Sequence, residues 1–180
     1  MALVAITKNA RIVRGGGLIT SDVYKSHATN LWTAGALLKL ASGLLTPVVN
    51  TSGGAAEIDT DDTGTSGVRL FIALEDHLTA GSVYVSVQEI TKETVLELQL
   101  LASGSTAPTC ANVAKGTSYT GYQLDGGSNH GEGVWGLDVD DTTKPVFNVI
   151  DVESNWNPHK TAALGNYALV WVKVLSAILA

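Results

Sequence analysis

The sequence predicts an all-β protein that folds as a single β-barrel or β-sandwich domain with a flexible N-terminal arm. Apolar and polar residues alternate with period two along several stretches of the chain, as in half-buried strands. Glycine, asparagine, aspartate and proline separate these stretches at intervals that suit a barrel or a sandwich. The one helical pattern, over residues 31–45, contains Gly35 and Gly43, and each would cost a helix about 1 kcal/mol relative to alanine.

In chain order, residues 1–30 are predicted to form the N-terminal arm with the first strands, and residues 31–180 one globular domain. Three consecutive glycines at residues 15–17 predict a flexible joint in the arm, because glycine reaches backbone angles closed to other residues. Two short strands are predicted at residues 36–40 and 44–49, with a turn at residues 41–43. No Pro/Ser-rich linker divides the chain.

The clearest alternation lies in the middle of the chain. Valine occupies every second position from 83 to 87, and leucine every second position from 96 to 100. The polar link at residues 91–93 between these runs predicts that they pair as a hairpin. Further strands are predicted at residues 68–74, 134–139, 146–152 and 167–175, which are rich in β-branched or aromatic residues.

Composition narrows the function classes. Seventeen acidic against eleven basic residues give a net charge of −6, so the chain lacks the positive field that nucleic-acid binding needs. A charged fraction of 16% and a hydrophobic fraction of 45% exclude a disordered chain and favour surface buried against neighbours. The longest apolar stretch, residues 167–180, is interrupted by Lys173 and is shorter than the roughly 20 residues of a spanning helix. No membrane partner is expected, and the N-terminus does not follow a secretory pattern, which predicts synthesis in the cytoplasm.

The sequence contains few candidates for a metal site or a catalytic site. Residues 59–64 begin like a calcium loop, but Leu70 stands where the closing glutamate belongs, so a solvated acidic turn is expected. Asp138 and Asp140 are interpreted as charges on an edge strand. The four histidines are scattered, Cys110 is the only cysteine, and no nucleophile is paired with a base. We therefore expect no metal, no cofactor and no enzyme, and a small hydrolase is the weakest alternative.

Two tryptophans flanked by turn residues, Trp135 and Trp156, are candidate contact residues. Tryptophan in such a setting either caps a core or lies on a recognition surface. The C-terminal run is apolar on both faces of its predicted strand, which indicates burial inside a sandwich or between subunits. We predict burial at an oligomer interface, most simply in a trimer. Its candidate interface residues are Trp171, Leu175, Ile178 and Leu179.

The order of segments resembles that of a known family. The chain reads GALLKL at residues 35–40, GLLTP at 43–47, an acidic glycine-rich loop, and LFIALED at 70–76. This order, with the strands that follow it, resembles the small β-barrel decoration, or cement, proteins of tailed-bacteriophage heads. The resemblance implies a structural virion protein, often trimeric, that binds the major capsid protein on the capsid exterior and stabilises the expanded head. The alternative is a carbohydrate-binding adhesin or fibre module, in which Trp135 and Trp156 stack on a sugar.

Overall fold

The computed structural model describes residues 10–48, 56–101, 113–123, 135–152 and 169–180. These residues form fourteen strands and one four-residue helix, so the predicted all-β fold is confirmed. The strands are β1 Arg11–Arg14, β2 Ile19–Thr20, β3 Lys25–Ser26, β4 Leu37–Ala41, β5 Leu44–Pro47, β6 Ala56–Ile58, β7 Leu70–Ala73, β8 Val87–Ile90, β9 Val95–Leu101, β10 Ser118–Tyr119, β11 Gly121–Gln123, β12 Trp135–Asp138, β13 Phe147–Val152 and β14 Leu169–Val174, and the helix is α1 Thr60–Thr63.

The larger sheet is nearly a closed barrel. Its strand order is β10-β13-β14-β9-β12-β11-β6, with β1 paired to β9. Only Thr120 separates β10 from β11 along the chain, and these two short strands pair with β13 and β12 respectively. The sheet therefore curls back on itself, because one residue connects β10, at one end, to β11, the strand beside β6 at the other end.

Strand β9 lies at the centre of this barrel, and all seven of its residues are buried. Leu96, Leu98 and Leu100 enter the barrel core. Glu97 and Gln99 lie on the opposite face of the strand and are also buried. The strand uses both of its edges, because it pairs with β14 on one side and with β1 and β12 on the other.

The second sheet has the order β2-β8-β7-β4-β5-β3. Its predicted hairpin is confirmed: β4 pairs with β5, and Ser42 and Gly43 at the turn both have positive φ, as a type I′ turn requires. Alternate residues of its strands enter two different cores, since Leu70 and Ile72 join the barrel core while Phe71 and Ala73 join a second cluster around Trp32.

The hairpin predicted between the valine and leucine runs is wrong. Strand β8 pairs with β2 and β7 in the second sheet, while β9 enters the barrel. Between them the chain turns at Thr91 and Thr94, where the Thr94 N–H donates to the Thr91 carbonyl and the Thr94 hydroxyl accepts from the Thr91 N–H. Alternation identified the two strands correctly, but it carries no information about which edge each strand pairs with.

The three glycines predicted as a flexible joint are packed. The Gly15 carbonyl accepts hydrogen bonds from the hydroxyls of Thr91 and Thr94, and the Gly17 N–H donates to the Glu89 carbonyl. A Cβ at Gly15 would lie 2.3 Å from the Glu93 carbonyl oxygen, so glycine here allows a close backbone approach. Residues 1–9 of the predicted arm lie outside the described residues.

Candidate interaction surface

The structure places Trp135 in the core. Its side chain is 1% exposed, its indole N–H donates a 2.7 Å hydrogen bond to the Gly35 carbonyl, and its ring stacks on Phe147 with the centroids 5.7 Å apart. Of the two interpretations of this residue, core packing accounts for its position, and the ring is closed to a partner or a sugar. Trp156 lies outside the described residues.

Trp171 and Leu175 are half-buried on the barrel. Trp171 faces Glu97 across the β14–β9 pair, and its indole N–H lies 3.3 Å from Glu97 Oε2. On the other side of β9, Arg11 Nε donates to Glu97 Oε1 at 2.6 Å. This row of cross-strand neighbours ties β1, β9 and β14 together, while Leu175 packs against the barrel core.

Ile178 and Leu179 are covered by their own chain. Both side chains are buried and belong to the barrel core. The Val68 N–H donates to the Ile178 carbonyl at 2.8 Å, and the Ala180 N–H donates to the Val68 carbonyl at 3.0 Å. Leu179 therefore forms an isolated parallel bridge with Val68, two residues before β7 begins. Both side chains are therefore covered within one chain. Their apolar character no longer requires a second subunit to cover them.

The two acidic segments make hydrogen bonds and ion pairs of their own. In place of a calcium loop the chain forms α1, and Asp59 Oδ1 accepts the Asp61 N–H at 2.6 Å. The Lys144 ammonium pairs with Asp61 and lies 3.9 Å from Asp59. The edge-strand interpretation of Asp138 is wrong, because β12 lies between β9 and β11 and this side chain is buried. Over the described ranges, no three His, Cys, Asp or Glu side chains are grouped to hold a metal ion.

A cavity of about 310 Å³ opens beside the turn between β8 and β9. Val68 and Ile90 supply apolar lining, while Arg69 and Glu89 line it with opposite charges and pair with each other at 2.8 Å. Neither histidine nor cysteine is among the described residues that line it.

The outstanding surface feature is a set of exposed apolar side chains at one side of the second sheet. In the part of the chain that the structure describes, every exposed large hydrophobic residue lies in residues 18–23 or 74–84. We call these seven side chains the apolar rim: Leu18, Ile19, Val23, Leu74, Leu78, Val83 and Tyr84.

The two segments that carry the rim are joined by backbone hydrogen bonds. The Ser26 N–H donates to the Val83 carbonyl at 2.8 Å, and the Val85 N–H donates to the Tyr24 carbonyl at 3.2 Å. Lys25 pairs with Tyr84 in an isolated bridge, and its ammonium lies 4.8 Å from the centroid of the Tyr84 ring. The exposed residues thus come from one continuous backbone region and not from scattered loops.

Sequence reasoning missed the rim. Alternation grouped Val83 with Val85 and Val87, which are both buried, whereas Val83 lies before the strand begins and is 49% exposed. The available signal was the pair Leu18 and Ile19, which follow the glycine run and precede the polar Thr20-Ser21-Asp22.

Comparisons of the chain with protein-family models, with curated proteins and with solved structures find no match. Among the described residues, no helix is long and apolar enough to span a membrane.

Proposed function

We propose that the protein is a structural virion protein, which binds the outer surface of a tailed-phage capsid and stabilises the expanded head. The observation that carries this proposal is the confinement of the exposed large apolar side chains of the described residues to the apolar rim. Concentrated exposed apolar surface on a folded domain marks a site of contact with another macromolecule. The segment order resembles that of phage decoration proteins, and this resemblance suggests that the partner is a phage head.

The size of the rim suits a protein partner. The seven residues are between 41% and 74% exposed, so together they present apolar surface on the order of several hundred Å². One partner in a standard protein interface contributes roughly 800 Å². Burial of this area would favour docking by the hydrophobic effect, with no need for the basic surface that the composition lacks.

The partner we propose for the rim is the major capsid protein, with homotrimers as the assembly on the shell. The trimer rests on the family resemblance, because Ile178 and Leu179, two of the C-terminal residues that suggested it, are buried within one chain. The adhesin alternative loses one of its two sugar-stacking residues, since Trp135 is buried and cannot stack on a sugar. The remaining tryptophan of that hypothesis, Trp156, lies outside the described residues.

The test is co-sedimentation with phage heads. We expect the purified protein to bind expanded heads that lack it, to raise the temperature at which they release DNA, and to bind compact precursor shells poorly. A rim variant carrying Leu18→Gln, Ile19→Thr and Val23→Thr should lose at least tenfold in affinity for expanded heads. Exposed positions tolerate such changes with little loss of stability, so circular dichroism and thermal unfolding should match the wild type.

A matched control carries three substitutions at exposed positions outside the rim: Thr65→Ser, Lys115→Gln and Ser176→Ala. This control should bind heads as the wild type does. Failure of the wild type to bind either kind of shell, together with retention on a glycan array, would favour the adhesin. Equal binding by the rim variant and the control would show that another surface docks.

A further inference from the structure

A buried histidine lies in the middle of the rim segment at residues 74–84. The His77 side chain is 6% exposed, and its ring packs against Trp32, with the two centroids 4.7 Å apart and the planes inclined by 46°. The backbones of these two residues also hydrogen-bond each other in both directions, at 3.0 Å and 2.9 Å. Leu78, the next residue, belongs to the rim.

The imidazole buries a nitrogen that has no partner. Among the described residues nothing hydrogen-bonds His77 Nε2. Because a protonated imidazole carries an N–H on both of its nitrogens, a charged ring would hold an unpaired Nε2 N–H where it now lies.

The surroundings of His77 disfavour a positive charge. Burial lowers the pKa of His77 from its usual 6.5, and the Gly81 backbone and the Glu75 carboxylate oppose this effect less strongly. Asp76 is the other carboxylate on the same loop. The segment that carries Trp32, residues 30–36, contains no titratable side chain, and neither do residues 79–82.

Side-chain hydrogen bonds hold the loop in place at its edges. Glu75 Oε1 accepts the Ser86 N–H at 2.6 Å, and Asp76 Oδ1 accepts the Ala34 N–H at 2.7 Å. His77 is the buried titratable side chain of this loop, and histidine is the residue type whose charge ordinarily changes near neutral pH.

We propose that His77 is a proton-controlled latch of the apolar rim: neutral and packed on Trp32, it holds residues 74–84 in the arrangement that displays Leu74 and Leu78, and protonation of its ring releases them. The proton comes from solvent, and the Nε2 N–H of the charged ring has no acceptor where the ring now lies. An unpaired buried donor on a charged ring is strongly disfavoured, so the ring leaves Trp32 and the loop opens. The claim that this latch regulates docking to capsids rests on the proposed function. The claim that the loop opens on protonation does not.

The loop opening is measured on the isolated protein by amide hydrogen exchange, with each rate divided by the intrinsic rate at the same pH. Between about pH 7.5 and pH 5, we expect protection of residues 74–81 to fall at least tenfold in the wild type. His77→Gln should show no such fall. His27→Gln is the matched control, because His27 is a half-buried histidine of the same sheet region that bonds only Thr29 through its ring, and it should behave as the wild type.

An NMR titration of the His77 imidazole in the wild type tests the proposal even if the His77→Gln variant does not fold. The ring should titrate below 6.5, and the amides of Leu74 and Leu78 should shift along the same curve. If the face of Trp32 stabilises the imidazolium instead, His77 will titrate at or above 6.5, and the latch is overturned. Titration without any change in loop protection, or the same change in His77→Gln, also overturns it.

Binding to expanded heads at the two pH values separates the latch from the proposed function. Loop opening with loss of binding at low pH supports both. Loop opening in a protein that binds heads at neither pH contradicts the proposed function and leaves the latch supported. Loop opening with unchanged binding overturns the latch as a control on docking.

Discussion

The indole N–H of Trp135 donates to the backbone carbonyl of Gly35, 100 residues earlier in the sequence, at a distance of 2.7 Å. Trp135 begins a barrel strand, whereas Gly35 belongs to the turn that leads into β4 of the second sheet. One hydrogen bond, entirely buried, therefore connects the two sheets beside the stacked ring of Phe147. The tryptophan acts as a structural joint.

Trp135→Phe is expected to lower the free energy of unfolding by about 2–3 kcal/mol. The phenyl ring preserves most of the apolar burial, but the Gly35 carbonyl loses its donor inside the protein, and an unsatisfied buried polar group costs about 1–3 kcal/mol. Urea unfolding followed by circular dichroism provides the measurement. Trp135→Ala should cost about 2 kcal/mol more than Trp135→Phe, because it also leaves a cavity. A phenylalanine variant as stable as the wild type would show that the hydrogen bond contributes nothing.

Gly15→Ala should destabilise the protein more than Gly43→Ala does. Both glycines have positive φ, 68° and 81°, which costs an L-residue about 1–2 kcal/mol. Only at Gly15 would the new Cβ also meet backbone, at 2.3 Å from the Glu93 carbonyl oxygen, whereas nothing lies within 4 Å at Gly43. We expect a further loss of at least about 1 kcal/mol for Gly15→Ala, measured by thermal unfolding. Equal losses would mean that the glycine run moves away from Glu93 without penalty.

Leu179→Ala is expected to lower the free energy of unfolding by about 2–5 kcal/mol, as truncation of a buried leucine does. Because Leu179 packs within its own chain, this loss should be the same at low and high protein concentration. Leu18→Ala, at a side chain that is 74% exposed, is the control and should change stability by less than about 0.5 kcal/mol. A loss that depends on protein concentration would instead place Leu179 at a subunit interface.

Stability should decrease as the pH falls below 6.5, in part through His77. Burial lowers the pKa of His77 in the folded protein from 6.5, so the unfolded chain takes up a proton at a higher pH than the folded chain does. The contribution of His77 is then complete above 6.5 and is lost as the pH falls toward the folded pKa. Urea unfolding at about pH 7.5 and about pH 5.5 should show a smaller decrease in His77→Gln than in the wild type. The same decrease in both proteins would contradict this assignment.

The sequence could predict the strands because their causes are local. The period-two pattern is present in β9 and β14 whatever their neighbours are, and glycine placement alone decided against a helix at residues 31–45. The turn at Ser42 and Gly43 followed from the same local chemistry, since a tight turn needs residues that tolerate positive φ.

Only the tertiary structure decided which strands pair and which apolar residues remain exposed. β8 and β9 follow one another along the chain but lie in different sheets, and the period-two pattern of the sequence does not record that choice. Leu179 and Leu18 are equally apolar, yet one is 5% exposed and the other 74%. Whether a side chain is buried depends on the residues that pack against it, and many of these are distant in the sequence. The apolar rim could therefore be recognised only in the tertiary structure.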